Sequence, residues 1–125
     1  MRPDRRRLLG WVGAFLWCAL IFWLSSTPDA GGVFGFLPDG ADKVLHGGAF
    51  LVLAGLLTLA TGRPVVSALA AVAYGVSDEV HQLFVPGRTA DLADLLADAV
   101  GATVGAWLVG YLLRRNTNPP VEWPP

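Results

Sequence analysis

Between Leu8 and Leu24 the chain carries no charged side chain. Such a run approaches the roughly 20 apolar residues an α-helix needs to cross a bilayer. Three further spans are expected, Lys43 to Ala60, Val65 to Phe84, and Asp91 or Leu92 to Leu113. The breaks between them are clear. Pro28 stops the first, and the segment from Asp29 to Asp42 is rich in Gly, Pro and Asp. Thr61-Gly62-Arg63-Pro64 is a tight turn, with Pro64 suited to the first turn of a new helix. Val85-Pro86-Gly87-Arg88 is another turn. Lipid offers the backbone no hydrogen-bond partners, so a spanning segment must satisfy its own groups as a helix. The expected fold is all-α, a polytopic membrane protein built as a four-transmembrane-helix bundle.

Composition agrees. The 125 residues are enough for one domain and are 54% hydrophobic and 15% charged. A soluble domain carries about 25% charged residues. A net charge of −1 gives no reason to expect nucleic acid. Cys18 is the only cysteine, which excludes an internal disulfide and a cysteine metal site. The basic start and apolar run also resemble a signal peptide, but the run is longer than a signal core and no Ala-x-Ala site follows. Trp11 and Trp23 sit near its ends, as interfacial anchors do. The expected organisation is a basic cytoplasmic N-terminus over 1–7, a membrane domain over 8–113 and a Pro-rich cytoplasmic tail over 114–125. Phe34, Phe36 and Leu37 are expected to meet the membrane interface.

Four spans put both termini on one side, and basic residues choose the side. Arg2, Arg5, Arg6, Arg7, Arg63, Arg114 and Arg115 fall together, with Lys43 and Arg88 opposite. Both termini are therefore expected in the cytoplasm.

The stretch from Tyr74 to Asp98 then stands out. Asp78, Glu79, Asp91, Asp94 and Asp98 lie there with His81, Gln82 and Arg88. On a helix, Tyr74, Gly75, Asp78, His81 and Gln82 share an arc of roughly 120°, with Glu79 beside it. Asp91, Asp94, Asp98, Gly101 and Gly105 share an arc of roughly 100° on the last span. The acidic face thus coincides with a small-residue face suited to helix packing. Asp98 lies about 22 Å from the inner end of its span, which puts it in the outer part of the membrane. Ser25, Ser26 and His46 reach a similar level. An acid at mid-membrane costs on the order of 3 kcal/mol on insertion scales. Such acids must be protonated, paired or bound to a cation.

The motifs Trp23-Leu-Ser-Ser-Thr-Pro28, Asp42-Lys-Val-Leu-His46 with Phe50, Ser77-Asp-Glu-Val-His-Gln82 and Pro86-Gly-Arg-Thr-Ala-Asp91 with Asp94, Asp98 and Gly101 resemble the VanZ-like family. The resemblance covers about Leu8 to Leu113. It implies a bacterial multi-pass protein of the cell membrane, and a link to glycopeptide (teicoplanin) resistance, an antibiotic-resistance role, although most relatives lie outside resistance clusters.

The expected site comprises His46, Asp78, Glu79, His81, Gln82, Arg88, Asp91, Asp94 and Asp98, at the external end of the bundle. It would bind a lipid-linked, glycopeptide or other cell-envelope ligand, with the lipid bilayer as the standing partner. Three other readings use the same residues. In an enzyme, the carboxylates would hold Mg²⁺ or Mn²⁺ against a lipid phosphate, with His81, Glu79 or Asp78 as catalytic candidates. In a small transporter or proton relay, Asp78, Asp94 and Asp98 would be carriers, and the short spans would need to oligomerise. In a structural protein, the acids would be packing devices, with Asp78 and Arg88 pinning the loop. No resident cofactor is expected beyond such a divalent cation.

Overall fold

A computed structural model describes residues 2–28, 36–38 and 40–117. Phe34 with the rest of Asp29–Gly35, Asp39, and the Pro-rich end of the tail beyond Thr117 lie outside the described residues. Four helices account for nearly all the rest, with no strand among the described residues. They are α1 (Pro3–Ser25), α2 (Ala41–Thr61), α3 (Pro64–Gln82) and α4 (Leu92–Thr117).

The helix ends follow local chemistry. α1 begins before its apolar run because Pro3 suits the first turn and arginine is a good helix former. α2 is bounded by two glycines in the left-handed region, Gly40 (φ 83°) and Gly62 (φ 71°). The Gly62 N–H closes the helix on the Thr58 carbonyl. α3 ends at Gln82, short of the Phe84 expected. Leu83, Phe84 and Val85 instead fold back in turns onto the carbonyls of Val80, His81 and Gln82. Asp91 caps α4, its Oδ1 accepting the Ala93 N–H at 2.8 Å. α4 continues past Leu113 through Arg114 and Arg115, cations that suit a helix C-terminus.

α1, α2 and α4 are each long and apolar enough to cross a membrane. α3 is apolar over its first part but carries Asp78, Glu79, His81 and Gln82 at its end. The bundle is inverted relative to a soluble one. Phe15, Leu69, Val100 and Leu16 face outward, whereas Thr58, Ser67 and Asp98 are buried among small residues such as Ala54, Ala71, Ala102 and Ala106. A continuous apolar exterior of this kind needs lipid around it.

α2 and α4 form the central pair, α3 packs chiefly on α4, and α1 on α2. The α2–α4 contact is backbone on backbone. A Cβ added at Gly101 would overlap the Gly47 carbonyl, and one at Gly105 the Leu51 carbonyl. The Gly-x-x-x-Gly pair therefore works as small-residue packing in lipid does. α1 also meets α2 backbone to backbone, where a Cβ at Gly10 would overlap Ala60. Toward its other end α1 is held to α3 through Phe22, Ser26 and His81, and a space opens between α1 and α2. The opening left there matters for the site.

Candidate functional site

The carboxylates converge at the end of the bundle where α1 and α3 finish and α2 and α4 begin. Asp78, Glu79 and Gln82 on α3 and Asp94 and Asp98 on α4 are all buried. Each was expected near the outer rim, and the fold brings them together with His46 of α2. Each meets a different partner.

At the rim, the Lys43 ammonium bonds Asp91 Oδ2 at 2.8 Å, bonds Asp94 Oδ1, and pairs with Asp42 at 3.1 Å. Lys43 therefore ties the N-terminus of α2 to the start of α4. Sequence reasoning did not include it among the site residues. The available signal was helical spacing: Lys43 and His46 are three residues apart, hence on one face. The Lys43 ammonium, followed by the Ala93 N–H, holds the Asp91 carboxyl below the usual carboxylate range.

One layer deeper, His46 Nδ1 lies 3.1 Å from Asp98 Oδ1, and Nε2 lies 3.7 Å from Asp94 Oδ2. Both ring nitrogens thus face a carboxylate. Asp98 is fully buried, and its second oxygen, Oδ2, has no hydrogen-bond partner. That oxygen is turned toward α3, where a Cβ at Gly75 would stand 3.1 Å away. Glu79, one turn along α3, uses Oε2 to accept the Asp91 N–H at 2.9 Å, while Oε1 is buried without a partner. One ligand atom from each of His46, Glu79 and Asp98 lies within 4.8 Å of the others.

Asp78 faces the other way. Its Oδ2 accepts from the Gln82 amide at 3.2 Å, and both side chains line a cavity of about 530 Å³. The cavity lies mainly between α1 and α2. Leu20, Ile21 and Leu24 supply one wall, Val44, Leu45 and Val52 another, and His46, Asp78, Gln82 and Arg88 the polar end. Its volume falls in the range of small-molecule sites. A separate hollow of about 240 Å³ between α2 and α4, around Leu51, Leu56 and Leu108, has apolar lining residues and no titratable group.

One expected association is corrected. Arg88 is not the partner of Asp78. Its Nε and Nη2 donate to the Thr27 and Leu24 carbonyls, at 3.2 and 2.7 Å. The carbonyls at the C-terminal end of α1 attract a cation, and the planar fork reaches two at once. His81 stands apart from His46. It stacks on Phe22 with ring centroids 4.7 Å apart, and its Nε2 is 2.9 Å from Ser26 Oγ. The His81 ring therefore locks α3 to the end of α1, while the His46 ring faces α4.

These features define a helical protein of membrane type, with polar side chains gathered at one end of an otherwise apolar bundle. A family model described as VanZ/LLP1 matches residues 11–114. The chain belongs to this VanZ-like family. Among curated proteins nothing matches the chain, and among solved structures nothing matches either.

Proposed function

We propose that this protein binds an amphipathic, lipid-linked molecule of the cell envelope, its polar part at the Asp78–Gln82–Arg88 end of the cavity and its chain between α1 and α2. The observation that carries this reading is the cavity itself, with apolar walls on two membrane-type helices and a polar end. The Arg88 guanidinium has five N–H donors. Two go to the Thr27 and Leu24 carbonyls, and the described residues take no others. The remainder suit a phosphate or carboxylate, and Asp78 suits a hydroxyl or ammonium on the same headgroup.

The cavity end belongs outside, with both termini in the cytoplasm, because seven of the nine basic residues sit at the opposite end or in the terminal segments. The family and this placement together favour the cytoplasmic membrane and a ligand of the outer leaflet. A contribution to glycopeptide resistance is the physiological form of this reading, in which binding at the rim alters access of drugs such as teicoplanin to lipid-linked cell-wall precursors.

The test is photocrosslinking of the purified full chain with phosphatidylglycerol carrying a photoreactive acyl chain. Adducts are expected at Leu20, Leu45 and their cavity neighbours, and Ile21→Trp should suppress them. Adducts spread evenly over outward residues such as Phe15 and Val100, unchanged by Ile21→Trp, would refute the reading.

A further inference from the structure

We propose that His46, Glu79 and Asp98 hold one divalent transition-metal ion, bridging α2, α3 and α4 at the polar end of the bundle. The proposal stands on these three side chains and is independent of the lipid reading.

Three observations converge. First, the ligand atoms already lie within 4.8 Å of one another. An ion bound at about 2.1 Å from each ligand requires separations of up to about 4.2 Å. Rotamer adjustments of well under 1 Å close the difference, and no helix has to move. Second, two of the three residues bury a carboxylate oxygen with no partner, Glu79 Oε1 and Asp98 Oδ2. Glu79 is 7% exposed and Asp98 0%. A buried anionic oxygen without a partner is costly, and an ion satisfies both at once. Asp98 Oδ2 is turned toward α3 beside Gly75, and Glu79 stands four residues further along that helix, on the same face. Third, the His46 ring is held as metal-ligating rings are. With Asp98 also a ligand, the ion meets Nδ1, and the opposite nitrogen, Nε2, faces Asp94 Oδ2 at 3.7 Å.

The surroundings are consistent in charge. Lys43 is matched by Asp42, Asp91 and Asp94. Glu79 and Asp98 have no lysine or arginine contact among the described residues, which leaves two carboxylates to balance a divalent ion. One imidazole and two carboxylates favour Mn²⁺ or Zn²⁺ over Ca²⁺. Three protein ligands also leave a coordination position open, as at ions that act on a substrate.

The experiment uses the full chain, purified in detergent and stripped with chelator, with Mn²⁺ alone as the probe and free Mn²⁺ read by electron paramagnetic resonance. One bound Mn²⁺ per chain is expected, displaced by Zn²⁺. Glu79→Gln and His46→Ala should each weaken binding at least ten-fold, while His81→Gln should leave it unchanged. Circular dichroism confirms the helical content of every variant, and Glu79→Gln retains an oxygen for the Asp91 N–H. The proposal is overturned if the wild type binds no Mn²⁺, if Glu79→Gln and His46→Ala bind like the wild type, or if Ca²⁺ displaces Mn²⁺ and Zn²⁺ does not. None of these readouts needs lipid, so failure of the crosslinking experiment leaves this one intact.

Discussion

Gly75 makes room for Asp98: a Cβ at Gly75 would meet Asp98 Oδ2 at 3.1 Å and Phe50 Cε1 at 3.2 Å. The buried carboxylate on α4 therefore depends on the absence of a side chain on α3. Gly75→Val should destabilise the bundle by about 1–3 kcal/mol through overpacking. Gly48→Ala is the contrast, because nothing lies within 4 Å of its added Cβ. That change should be neutral or stabilise by up to about 1 kcal/mol. Unfolding in mixed micelles titrated with dodecyl sulfate measures both.

Lys43 draws together Asp42, Asp91 and Asp94, of which Asp94 is the most buried. Lys43→Met leaves that carboxylate without its ammonium, and a loss of about 1–3 kcal/mol is expected. Adding Asp94→Asn should recover part of the loss, since the two residues act as one unit. A double-mutant cycle in the same unfolding assay gives the coupling. Strict additivity would contradict the pairing.

Arg88 closes the α1 C-terminus through the Leu24 and Thr27 carbonyls. Arg88→Ala should cost about 1–3 kcal/mol. Arg88→Lys should be intermediate, because an ammonium lacks the fork that spans two carbonyls. Hydrogen exchange should quicken at the end of α1 in both variants and stay unchanged at the middle of α2. Equal behaviour of the Lys and Arg proteins would argue against the two-carbonyl cap.

Asp91 offers a pH dependence of known sign. Lys43, then the Ala93 N–H, holds its carboxyl below the ordinary value. The ordinary aspartate value is about 3.9. A group lowered on folding contributes stability that is fully present above the ordinary value and lost as pH falls through the lowered one. The Ala93 amide should therefore keep its exchange protection factor from pH 7 down to about 5 and lose it only below about 4. Loss of protection between pH 7 and 5 would show that another group controls this cap.

Orientation is testable with single cysteines in a Cys18→Ala background. Ala90, beside the polar end, and Thr117, at the α4 C-terminus, are both exposed. With the termini inside, Ala90→Cys should react with a membrane-impermeant maleimide in intact cells. Thr117→Cys should react only after lysis. The reverse pattern would place the cavity on the cytoplasmic side and remove the outer-leaflet ligand.

Much of the architecture is legible in the residues. The uncharged run from Leu8 to Leu24, the Gly62–Pro64 turn and the Gly101–Gly105 spacing are local features, and local features determine where helices begin, end and present a small face. Burial of Asp94 and Asp98 follows from the same periodicity. The partners do not. Lys43 is adjacent to Asp42 in sequence yet also bonds Asp91 and Asp94, far along the chain. Arg88, ten residues from Asp78, turns instead to α1. His46 and His81 belong to different contacts although both stand at the polar end. Each pairing depends on the rotation and crossing of one helix against another, set for α2 and α4 where Gly101 and Gly105 meet the α2 backbone and for α1 and α2 where Gly10 meets Ala60. A helix's own period says which side chains share its face. Which face of a neighbour they meet is decided only when the helices pack.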